Sequence, residues 1–195
     1  MDDNRNLRPP KILAKIEADT KALDFKMASE PVVGSLLRTL AASKAKARFL
    51  ELGTGTGLST AWLLDGMSPD STLVTMDNDQ ALLDVARRHL GGDKRLSIVC
   101  DDGDHFVQSL HSTGERFDFI FADTWSGKYR LLEETLAMLN RYGLYVIDDM
   151  QPQPNWPDDH PPKVKHLLDY LDKHSGFVIT KMAWSCGVVI CTKID

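Results

Sequence analysis

The chain has 195 residues, 43% of them hydrophobic and 26% charged, with a formal net charge of −5. That is the size and composition of one soluble domain with its own core. Its basic residues do not cluster, so phosphate neutralisation has little to offer and no nucleic-acid partner is expected. No run reaches the ~18 apolar residues of a membrane helix, so no membrane partner is expected either. The first ten residues are polar and lack the apolar core of a signal peptide. Cys100, Cys186 and Cys191 show no metal-type spacing and read as buried reduced thiols, which suits a cytoplasmic protein.

Residues 11–26 carry Ile12, Leu13, Ile16, Leu23 and Phe25 at roughly helical spacing, and 30–44 place Val33, Leu36, Leu37 and Leu40 on one helical face. Strands and helices then alternate. Strands are predicted over 48–52, 71–77, 96–100, 117–122 and 143–147, and helices over 58–66, 80–90, 103–110 and 129–140. Residues 151–162 hold five prolines without periodicity and read as a long loop. A helix over 163–174 and strands over 177–183 and 187–192 follow. This order predicts an α/β, Rossmann-like fold: a seven-stranded, mostly parallel sheet with helices on both faces, closed by an antiparallel pair. The expectation is a single domain over 1–195, with helices in 1–45 covering a site built by 46–195.

The segment Glu51-Leu-Gly-Thr-Gly-Thr-Gly57 follows the first strand, where glycines let the backbone turn sharply and a ligand approach closely. Asp77 stands 20 residues after Gly57, at the end of the second strand, where a carboxylate can accept both ribose hydroxyls. Together they define an adenosine site. The spacing is Gly-x-Gly-x-Gly, and Leu58 stands where a dinucleotide fingerprint has its last glycine, which favours S-adenosyl-L-methionine over NAD. The expected cofactor residues are Met27, Glu51, Gly53, Thr54, Gly55, Gly57, Ser59, Asp77, Asn78, Asp101, Asp102, Gly103, Asp123 and Trp125. Glu51 would suit the cofactor's positive groups. Asp101 or Asp102 would accept from the adenine amino group, the other serving as a helix N-cap.

Over residues 27–149 the chain resembles the small O-methyltransferases related to catechol and caffeoyl-coenzyme A O-methyltransferase. The similarity lies in Met27-Ala-Ser-Glu-Pro with Gly34, in Glu51 to Gly57 with Ser59, in Asp77, in Phe117 to Asp123 with Trp125 and Tyr129, and in Tyr145-Val-Ile-Asp-Asp149. The resemblance implies methyl transfer to a small-molecule hydroxyl, often by a homodimer, with a divalent metal on Asp123, Asp148 and Asp149. Separately, three carboxylates at the ends of neighbouring strands repel unless a cation sits between them, and Mg²⁺ or Ca²⁺ takes such oxygen ligands and can lower the pKa of a bound hydroxyl.

Two departures stand against that pattern. Asp149 replaces an Asn, and Ser126 stands where a catalytic Lys is expected, with Lys128 two residues on. The opposing reading is that Asp148 and Asp149 only cap a loop and bond backbone amides. The expected catalytic residues are Asp123, Asp148, Lys128 and His160, with His160 or His105 the base if no metal is used. An amine acceptor, a module that binds the cofactor without turnover and a nucleotide-dependent oxidoreductase are the alternatives.

Overall fold

Near-continuous apolar runs such as Phe117-Asp-Phe-Ile-Phe-Ala122 suit strands covered on both faces, and they become the centre of the sheet. The computed structural model describes residues 2–5, 7–153 and 156–195. The strands are β1 (Arg48–Leu52), β2 (Thr72–Asp77), β3 (Leu96–Cys100), β4 (Phe117–Ala122), β5 (Leu139–Ile147), β6 (Phe177–Met182) and β7 (Val188–Lys193). They form one seven-stranded sheet in the order β3-β2-β1-β4-β5-β7-β6. The helices are α1 (Leu13–Ala22), α2 (Pro31–Ala42), α3 (Leu58–Gly66), α4 (Gln80–Leu90), α5 (Gly103–Ser112), α6 (Leu132–Ala137) and α7 (His160–Leu171). Two compact units divide the chain, Met1–Asp102 and Gly103–Asp195.

In the first unit β1 pairs parallel with β2 and β2 with β3. Phe49, Leu50, Leu52, Leu73 and Met76 fill the core of these strands. Helices α2 and α3 cross closely because glycines stand at the contacts. A Cβ at Gly34 would lie 2.2 Å from Trp62 Cδ1, and one at Gly66 2.2 Å from the Arg38 carbonyl. Gly34, one of the positions that carry the family resemblance, is therefore a packing residue.

In the second unit β4 pairs parallel with β5, while β7 runs antiparallel to β5 and to β6. The helix expected over 129–140 is shortened to α6, and β5 begins earlier than the expected 143. Residues 125–130 are instead wound into a tight loop: the Trp125 carbonyl accepts from the amides of Lys128, Tyr129 and Arg130, and Gly127 donates to the Arg130 carbonyl. Leu139 pairs with Phe117 across a register shift in β4, so sheet pairing takes residues that local pattern assigns to helix. Helix α7 starts at His160, inside the expected proline loop. Pro161 and Pro162 sit in its first turn, where amides have no intrahelical partner to lose. Pro154 and Asn155 of that loop lie outside the described residues.

Candidate functional site

The first unit carries a ligand cradle at the carboxyl ends of β1 and β2. Gly53, Gly55 and Gly57 have φ of 105°, 51° and 94°, a left-handed region that glycine enters without steric cost. The amides of Gly53 and Thr54 both donate to the Met76 carbonyl at 3.0 Å, which hooks the loop onto β2. Gly57 also packs against α4, where a Cβ would lie 3.0 Å from Leu90 Cδ1 and 3.1 Å from Ala86 Cβ. Asp77 is half-buried; its Oδ2 accepts from the Gly55 amide at 2.8 Å and its Oδ1 from the Asp79 amide at 3.1 Å. A carboxylate has about four lone-pair sites, so these two bonds fix its direction and leave it able to accept from ribose hydroxyls. Asn78 is exposed beside it, and at the end of β3 Asp101 Oδ1 accepts from the Asp102 amide at 2.8 Å, with Asp102 exposed.

Beneath the loop lies a buried polar network that the sequence reading took for direct cofactor contacts. Glu51 is 0% exposed. Its Oε2 accepts from Thr60 Oγ1 at 2.5 Å and Thr75 Oγ1 at 2.6 Å, and Thr54 Oγ1 lies 2.6 Å from Thr75 Oγ1. Ser59 bonds the same carboxyl. The side chains of Thr54 and Ser59 thus brace the loop from inside, because they occupy buried positions bonded to their neighbours. Burial pushes the Glu51 carboxyl up to about 7. Among the described residues its Oε1 has neither partner nor solvent. A buried acceptor left so is costly, and a cationic group brought beside it would offset that cost. The cradle therefore fits a cationic adenosine cofactor better than an anionic nucleotide.

Helix α1 and the segment after it cover this loop. Thr20 Oγ1 lies 2.7 Å from Thr56 Oγ1, and the Phe25 ring rests 3.3 Å from where a Gly55 Cβ would be. Asp19 accepts from Arg88 at 2.9 Å and His89 at 2.8 Å, tying α1 to α4. Met27, expected at the cofactor, is 71% exposed.

The second unit gathers acids, a lysine and aromatics around the ends of β4 and β5. The Asp148 amide donates to the Ala122 carbonyl at 3.2 Å, which sets Asp123 and Asp148 on neighbouring strand ends. Lys128 reaches the main chain at the end of β5. It is 3% exposed, and its Nζ donates to the Asp148 carbonyl at 2.5 Å, with the Asp149 carbonyl at 3.5 Å. Burial depresses its pKa, while Asp123, Asp149 and Asp148 oppose that loss of charge. Asp148 is 2% exposed, and its Oδ1 accepts from Cys186 Sγ at 2.7 Å and the Asp149 amide at 2.9 Å. Burial pushes Asp148 up to about 6. Asp149 takes a φ of 54°, a strained conformation of the kind that clusters at functional sites.

The metal triad expected at Asp123, Asp148 and Asp149 is not assembled as ligands. Among the described residues no three His, Cys, Asp or Glu side chains are grouped to hold an ion. Asp148 Oδ1 is engaged by protein donors and the Lys128 ammonium lies against the main chain of the same strand end, so this donor set does not fit a divalent metal. Ser126 turns away, donating to Asp104 at 2.6 Å and accepting from Arg130 at 3.0 Å.

His160 is buried, not solvated in a loop. Its Nε2 lies 2.8 Å from the Tyr129 hydroxyl, and Trp156 stacks on its ring at 3.9 Å between centroids. Trp125 packs against Tyr129 and His160 at 6.2 and 5.8 Å, with Lys163 Nζ over its ring at 4.5 Å. Burial, then Lys128, lowers the His160 pKa, which favours the neutral imidazole. His105 is exposed on α5. Cys186, Trp156 and Thr60 escaped the sequence reading. Cys186 stands 38 positions from Asp148, and no local pattern marks that contact.

A family model for a methyltransferase domain matches residues 50–150. A Mycobacterium leprae (strain TN) protein with a provisional O-methyltransferase name is 33% identical over 97 residues, 48% of this chain and 42% of its own. A similarly named protein of Mycolicibacterium vanbaalenii is 31% identical over 125 residues, 62% of this chain and 54% of its own. The chain spans about half the length of the curated relatives it matches. Among solved structures, an O-methyltransferase from Bacillus cereus in complex with SAH aligns with a TM-score of 0.82 at 20% identity, covering 93% of this chain and 90% of that one. TomG, an O-methyltransferase from Streptomyces achromogenes in complex with SAM, aligns at 0.81 and 22%, covering 95% and 90%. At these identities the structural likeness speaks for the fold.

Proposed function

The chain belongs to the methyltransferase-domain family, and we propose that it transfers a methyl group from S-adenosylmethionine to a hydroxyl of a small molecule. The observation that carries the cofactor half is the cradle of the first unit: three left-handed glycines, Asp77 fixed beside them and the orphaned Oε1 of buried Glu51. When bound, the cofactor supplies an electrophilic methyl group on a sulfonium. The loop glycines would admit it closely, Asp77 would accept from the ribose hydroxyls, and Asp101 or Asp102 would accept from the adenine amino group.

The second unit carries a proton-accepting pair of its own, Tyr129 and His160. Methylation of a hydroxyl would require its proton to leave. The Tyr129–His160 pair can take it. With His160 in the tautomer that leaves Nε2 unprotonated, the phenol would donate to Nε2 while its own oxygen accepts, so the proton would end on the imidazole. The hydroxyl acceptor is supported by the O-methyltransferase names of the relatives and neighbours. No helix of the described residues is long and apolar enough to cross a membrane. Cys100, Cys186 and Cys191 are free thiols, which supports a cytoplasmic site of action. A homodimer belongs to the same reading.

Calorimetric titration of adenosylhomocysteine into wild type and Asp77→Ala tests the reading. Binding in the wild type that weakens by about 30-fold or more in the variant is expected, because a bidentate charged acceptor worth about 2 kcal/mol or more is lost. No binding to the wild type ends it.

A further inference from the structure

We propose that Lys128 is the resident cation of the Asp123–Asp148–Asp149 cluster and that the protein takes no divalent metal there, so that any acceptor is activated without one. The claim about the cluster is independent of the methyl-transfer reading; only its last clause rests on it. Three observations carry it. The Lys128 side chain is buried with its ammonium against the main chain of Asp148 and Asp149, donating at 2.5 Å to the first carbonyl. The loop 125–130, held by three amides on the Trp125 carbonyl, directs Lys128 to the Asp148 main chain and Ser126 to Asp104. The Asp148 carboxylate, which a metal would need, bonds Cys186 Sγ and the Asp149 amide on the same oxygen.

Electrostatics points the same way. A cluster of acids draws a cation, and the carboxylates of Asp123, Asp149 and Asp148 all act on the lysine. An ammonium and a divalent ion held among the same few oxygens repel at low effective dielectric. The lysine also arrives with the chain, whereas a metal would have to displace its bonds. Its protons remain able to steady an oxyanion, which is what a Lewis acid would otherwise do.

The test is titration of Mg²⁺, and separately Mn²⁺, into the full-length protein, followed by calorimetry and by melting in EDTA and in Mg²⁺. Wild type should show no stoichiometric metal heat up to about 1 mM and the same melting temperature in both buffers. Lys128→Met leaves the carboxylates uncompensated and should gain a one-to-one site, at least about tenfold tighter than wild type, that Asp123→Asn removes. A wild-type site tighter than about 100 μM, lost in Asp123→Asn, overturns the proposal. So does a folded Lys128→Met that gains no metal. Should that variant fail to fold, Lys128→Arg retains a cation and must stay metal-free, and the wild-type titration still decides. Adenosylhomocysteine titrated into the same samples keeps the two readings apart. Its failure to bind would end the methyltransferase reading and leave the lysine proposal standing.

Discussion

Replacing Glu51 by Gln removes one ionisable proton from beneath the glycine loop while keeping the shape that Thr60 and Thr75 bond. Burial raises this carboxyl from an ordinary 4.5 to about 7 in the folded protein. The folded state therefore binds the proton more tightly than the unfolded chain does. The resulting stabilisation is full below pH 4.5 and is lost as pH rises through 7. Each pH unit between the two values is worth about 1.4 kcal/mol, so the window holds about 3 kcal/mol as an order of magnitude. Gln stays neutral throughout. Leaving its amide nitrogen unpaired costs about 1–3 kcal/mol at every pH, so the diagnostic quantity is the slope, not the absolute stability. Urea unfolding at pH 5, 6, 7 and 8 should show Glu51→Gln gaining on wild type as pH rises. Parallel stability curves for the two proteins would refute the burial argument. The same variant should bind adenosylhomocysteine about tenfold more weakly or worse, because a charge-assisted bond to the ligand ammonium is lost.

Gly34→Ala should destabilise the protein by about 1–3 kcal/mol despite its helix-propensity gain of about 1 kcal/mol, because the new methyl group would meet the Trp62 ring at 2.2 Å. Thermal melting checks this, and an unchanged midpoint would mean that α2 and α3 separate freely. Tyr129→Phe and His160→Ala should each lower turnover by about 10²-fold or more while leaving adenosylhomocysteine affinity unchanged. Equal turnover in Tyr129→Phe and wild type would remove the phenol from the proton path.

Much of the cofactor cradle was legible because it is local. The glycines at 53, 55 and 57 follow a strand, and each needs a positive φ that other residues resist. Asp77 ends the next parallel strand, so chain order alone sets it beside the loop, where its Oδ2 meets the Gly55 amide. Alternating apolar runs likewise specified the strands and most helices.

Tertiary structure decided the rest, because those groups meet across long sequence separations. Glu51 looks like a cofactor contact in sequence, yet parallel pairing buries it under Thr60 and Thr75, with its second oxygen left without a partner among the described residues. Lys128 looks two residues too late to serve the acids. The wound loop after Trp125 cancels that offset and brings its ammonium to the Asp148 carbonyl. Cys186 reaches Asp148 only because the turn before β7 bonds residues 150 and 151 after β5. Sequence period fixes which way a side chain points along its own element, whereas the partner it finds depends on register between elements and on loop winding, which no local pattern encodes.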